Sequence, residues 1–108
     1  MEKGNKMSNV DKKTGKRFLS YIMRLRPEFR DEEADNCLVE LAQDAMTEKL
    51  KIARNKGRGG WWSTECDTGD LLEMLKAHVD KGDMRDVMNI AAMIYFRQES
   101  GIAFESRE

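Results

Sequence analysis

Residues 31–57, DEEADNCLVELAQDAMTEKLKIARNKG, decide the fold class. Asp31 is a helix-capping residue type, and Glu32, Glu33 and Asp35 put negative charge where a helix dipole is positive. Ala34, Cys37, Leu38, Leu41, Ala42, Ala45, Met46, Leu50 and Ala53 then recur at spacings of three and four, giving one apolar stripe. Lys49, Lys51, Arg54 and Lys56 crowd the far end, where the dipole favours cations. Gly57 follows as a stop. Start, stripe, end charge and stop agree on one long amphipathic helix.

Upstream, residues 1–13 are polar and lack apolar periodicity, so they read as a disordered tail. From Thr14 the spacing of Phe18, Leu19, Ile22, Met23 and Leu25 predicts a short helix, which Pro27 closes. Downstream, residues 57–69 (GRGGWWSTECDTG) form a loop with four glycines and two adjacent tryptophans. Asp67 or Thr68 caps a third helix with Leu71, Leu72, Met74, Leu75 and Val79 facing inward. Gly82 ends it, and Asp83 starts a fourth at once, with Asp86 at the capping-box position. That helix, from Met84 to about Gln98, is apolar almost all round and calls for cover on several sides. Gly101 caps it, Ile102 and Phe104 are placed to fold back, and 105–108 is a charged tail. The expectation is a small all-α four-helix domain over residues 14–104, ordered helix, helix, Gly/Trp loop, helix, helix.

Composition fits. Of 108 residues, 40% are hydrophobic and 36% charged, a balance suited to amphipathic helices around a lean core. The net charge of −1 argues against coating nucleic acid by charge alone. It is unevenly spread: +6 over residues 1–26, −7 over 27–48, +5 over 49–58 and −5 beyond. Solvated helix faces account for such blocks, which also steer charged partners. Cys37 and Cys66 show no metal-ligand spacing and His78 is the sole histidine, so the usual zinc sets are not expected, nor any cofactor. No signal peptide or membrane span is evident, and the expected location is the cytoplasm.

The loop offers the sharpest site. Glycines allow close backbone approach, Arg58 carries a guanidinium fork, and Trp61 and Trp62 offer stacking surface. No GxxxxGK[ST] phosphate loop is present. The same string also serves as a plain reversal, one tryptophan plugging the core and the other half exposed. Arg58, Trp61 and Trp62 are therefore the candidate partner-binding residues, with Lys49, Arg54 and Lys56 as a basic patch beside them. Met88, Met93, Tyr95 and Phe96 are the candidate dimer interface. Asp83, Asp86 and Asn89 lie three apart on one helix face, with Glu73 or Asp80 near in sequence. Such carboxylates can hold Mg²⁺ for phosphoryl hydrolysis, and with Glu32, Glu33 and Asp35 they faintly resemble the acidic motifs of MazG-type nucleotide pyrophosphohydrolases. Asn36 and Asp83 stand where that pattern has Glu, and acids at helix starts need no catalytic role. His78 with Cys66 is a conceivable nucleophile pair, and a lone helical histidine is more often a satisfied surface residue. Lys12, Lys13, Lys16, Arg17, Arg24 and Arg26 offer phosphate contacts without helix-turn-helix spacing.

Ala53 to Trp61 (ARNKGRGGW), then Cys66, Leu71-Leu72, His78-Val79, Lys81-Gly82-Asp83, Asp86-Val87, Asn89 and Met93 form the most distinctive pattern. Over residues 45–97 it resembles small bacteriophage and prophage proteins of no assigned activity. Trp62 departs from that pattern, which has a polar residue there, often Asp. The resemblance implies a phage accessory protein acting in the host cytoplasm, of a class that commonly binds a host protein such as a defence-system component. The absence of a catalytic set, the apolar last helix and the Trp/Arg loop make the expectation a non-enzymatic binding module and a homodimer. The alternatives are the Mg²⁺-dependent nucleotide hydrolase and a nucleic-acid binder using the basic first helix.

Overall fold

The computed structural model describes residues 15–101 and is all-α, with four helices and no strand among those residues. They are α1 (Gly15–Met23), α2 (Pro27–Asn55), α3 (Thr68–Lys81) and α4 (Met84–Ser100). The expected tails at 1–13 and 105–108, and the fold-back of Ile102 and Phe104, lie outside the described residues. No described helix is long and apolar enough to cross a membrane. The chain divides into two compact units, residues 1–44 and 45–108, with the boundary inside α2.

In the first unit, α2 begins four residues before the expected Asp31 cap. Pro27 opens the helix: at the first helical position its missing N–H would have had no partner anyway, and its ring presets φ. Arg30, one turn in, sends Nε to the Leu25 carbonyl (3.0 Å) and Nη2 to the Met23 carbonyl (3.1 Å). A cation thus sits on the carbonyl-rich end of α1. Ile22 and Cys37 are buried here, whereas Leu19, Met23 and Leu38, all expected on apolar faces, are exposed. Met23 and Leu38 each adjoin a buried residue and Leu19 a half-buried one, and the 100° step between neighbours on a helix carries them off a narrow stripe.

The Tyr21 hydroxyl donates to Glu33 Oε2 at 2.7 Å, and the Cys37 thiol approaches the same oxygen at 3.8 Å. That carboxylate bond, helped by burial, raises the Tyr21 pKa to about 12. A raised folded-state pKa means the contribution is complete below the unfolded value of about 10 and disappears as pH rises through about 12. Tyr21→Phe is therefore expected to lower stability modestly, by about 1 kcal/mol at neutral pH. Its alkaline spectrophotometric titration should lack the late tyrosinate that wild type shows. A variant retaining two-tyrosine behaviour at high pH, or none late in wild type, overturns this bond.

In the second unit α3 and α4 pack together around Leu71, Ile90 and Ile94, with Cys66, Leu75 and Met93 against them. The expected inward face of α3 is narrower than predicted: Leu71 is buried and Leu75 half-buried, but Leu72, Met74 and Val79 are exposed. α4 likewise buries one face only, through Asn89, Ile90, Ile94 and Arg97, leaving Met84, Tyr95 and Phe96 exposed. Gly82 makes the reversal between them. At φ +79° it occupies the left-handed region; its N–H bonds the Val79 carbonyl and the Asp83 N–H bonds the His78 carbonyl, closing α3 with a Schellman turn.

Candidate functional site

α2 ends as its sequence requires. Gly57, at φ +82°, donates to the Arg54 carbonyl and Arg58 to the Ala53 carbonyl, a second Schellman turn that redirects the chain into the glycine-tryptophan loop. The loop then advances by tight turns: the Ser63 N–H bonds the Gly60 carbonyl and the Cys66 N–H bonds the Ser63 carbonyl. Asp67 caps α3 by accepting from the Gly69 N–H at 3.1 Å. That frees Thr68, the other candidate cap, for a different task.

The task belongs to a residue the sequence reading passed over. Arg97 is the most deeply buried large side chain described, 1% exposed. Its Nε donates to Thr68 Oγ1 (3.1 Å), its Nη2 to the Cys66 carbonyl (2.7 Å), and its Nη1 to the carbonyls of Trp61 and Ser63. One guanidinium nitrogen therefore grips the backbone on both sides of Trp62. A planar five-donor fork suits this work, since it supplies donors to several converging loop carbonyls at once, that of Ser63 also accepting from the Cys66 N–H. The Trp61 ring, half-buried, meets Phe96 edge-on with centroids 5.3 Å apart. Trp62 remains 63% exposed on this fastened backbone.

The other candidates separate. Arg58, Arg54 and Lys56 are exposed, but Lys49 is half-buried and paired with Asp86 (Nζ to Oδ2, 3.4 Å), so its charge is already engaged. Of the four residues expected at a dimer interface, Met93 packs on the core and Met88 is half-buried; Tyr95 and Phe96 are exposed. Asn89 is buried, with Nδ2 reaching the Met46 carbonyl at 3.4 Å, about one turn along α2 from the Lys49 that pairs with Asp86. Cys66 packs on the core rather than serving as a partner identified for His78.

His78 instead meets Asp83 and Asp86 across the Gly82 turn, with Nδ1 3.7 Å from Oδ2 of each. Asp83 takes the capping position with no side-chain capping bond. Hydrogen bonding with the Asp86 side chain holds its carboxyl below the ordinary value against some desolvation, with the Asp86 amide, Lys49 and His78 adding to the effect. No family model, curated protein or solved structure matches the chain.

Proposed function

We propose that this is a non-enzymatic binding protein whose contact is the loop at Arg58, Trp61 and Trp62, and that its partner is a protein of the host cell, such as a defence-system component engaged by a phage accessory protein. The host assignment rests on the sequence pattern over residues 45–97. The observation that carries the binding reading is Arg97 gripping the carbonyls on either side of an exposed Trp62. An exposed tryptophan on a slack loop gains little on binding, because ordering the loop opposes it. Here that ordering is supplied by folding. Tryptophan and arginine also dominate the energetics of protein interfaces.

The test is an affinity capture from bacterial lysate with wild type and Trp62→Ala side by side, followed by measurement of Kd for the recovered protein. Trp62→Ala is expected to change unfolding free energy by no more than about 0.5 kcal/mol. It should weaken the partner by about 2 kcal/mol or more, roughly thirtyfold in Kd. A stoichiometric partner held equally by both proteins removes the loop from the interface. Recovery of nucleic acid alone, with affinity falling steeply in salt, replaces the reading with a nucleic-acid one.

A further inference from the structure

We propose that His78, Asp83 and Asp86 form a binding site for one divalent first-row transition ion, of the zinc or manganese class, held across the α3–α4 turn. The site is independent of the aromatic loop and of the partner reading. Each of the three residues offers a ligand atom lying within 4.8 Å of the other two. His78 Nδ1 is 3.7 Å from one oxygen of each carboxylate. That is too long for a hydrogen bond and close to the spacing around a metal. Ligands at about 2.1 Å from a tetrahedral or octahedral ion stand about 3.0–3.4 Å apart, so the imidazole needs to close on each carboxylate by about 0.3–0.7 Å.

The imidazole separates this cluster from acids that merely begin a helix. His78 Nδ1 is shielded from solvent and has no hydrogen-bond partner. A ring nitrogen is rarely left so unless something else engages it, and this one is directed at two carboxylates. Two carboxylates neutralise a dication, and one imidazole biases the set away from Mg²⁺ and Ca²⁺, which prefer oxygen alone. The side chains keep 22%, 35% and 24% exposure for His78, Asp83 and Asp86, which leaves room for water to complete the coordination. Lys49, with Nζ at 3.4 Å from Asp86 Oδ2, holds the place of the cation. An incoming ion displaces it, and removing it should favour the ion.

The placement follows from the chain. His78 stands in the last turn of α3, Asp83 and Asp86 in the cap and first turn of α4, and the Gly82 turn folds one onto the other.

The experiment is calorimetric titration of Zn²⁺ alone into the full chain carrying Cys37→Ser and Cys66→Ser, so that thiolates cannot be the ligands. One ion per chain is expected, at tens of micromolar or tighter. His78→Gln and Asp86→Asn should each weaken it at least tenfold while circular dichroism stays unchanged, and Lys49→Met should tighten it severalfold. Should His78→Gln fail to fold, Asp83→Asn is read in its place. Co²⁺ added to the wild-type chain should give a visible spectrum without thiolate charge-transfer bands. No saturable binding in either the thiol-free chain or its Lys49→Met variant, or affinity undiminished by His78→Gln, overturns the proposal.

Discussion

Arg97→Ala is expected to lower the unfolding free energy by about 3–5 kcal/mol, the largest effect of any single substitution considered for this chain. The change removes the bonds to Thr68 Oγ1 and to the carbonyls of Trp61, Ser63 and Cys66 together. Hydrogen bonds to a charged donor contribute about 1.5–3 kcal/mol, and an acceptor left buried without a partner costs about 1–3 kcal/mol. Truncation also leaves a void where a 1% exposed side chain stood. Water entering that void recovers part of the loss, which keeps the figure below the sum of its parts. Arg97→Lys should still be strongly destabilising, because an ammonium lacks the planar fork that reaches both sides of Trp62. Urea unfolding measures the loss, and tryptophan emission should shift to the red as Trp61 leaves Phe96. A native baseline within about 1 kcal/mol of wild type would show that the guanidinium does not organise the loop.

The same residue marks how far the sequence could be read. The helix types, the long α2 stripe, the stop at Gly57 and the reversal at Gly82 follow from spacing and capping, and all four expected helices are present, with α2 beginning four residues ahead of Asp31. The helix starts ahead of Asp31 because proline, which ends the helix before it, initiates the next one from the first helical position. The apolar faces are narrower than hydrophobic type alone implies, because a lean core buries only one stripe of each helix. By type alone Arg97 is one more charge near a helix end. Yet Ile90, Ile94 and Arg97 follow one another at spacings of four and three, so the arginine continues the buried stripe of α4. A cation in an apolar register is a legible signal that something nearby must accept from it. His78 with Asp83 and Asp86 was legible too: a basic last turn and an acidic first turn on either side of a glycine reversal are brought together by the turn itself. The deciding fact, the unpartnered Nδ1, belongs to three-dimensional packing and has no sequence signature.

The neighbours Leu71 and Leu72 test the narrow-stripe reading of the core. Leu71 is 4% exposed and lies with Ile90 and Ile94; Leu72 is 43% exposed. Leu71→Ala is expected to cost about 2–5 kcal/mol, from lost apolar transfer and from a cavity that two packed helices cannot collapse around. With so few residues fully buried, few contacts remain to share that loss. Leu72→Ala should cost under about 1 kcal/mol, because much of its surface already meets water. Urea midpoints at unchanged slope give both values. Equal losses at low protein concentration would place Leu72 inside the core and overturn the narrow stripe. Equal losses only at high concentration, with a midpoint rising as protein is added, would instead show a second chain covering the exposed face of α3, since association stabilises by mass action. Loss confined to Leu71 at every concentration is the expected outcome, and it would make the exposed apolar side chains of α3 dispensable for folding.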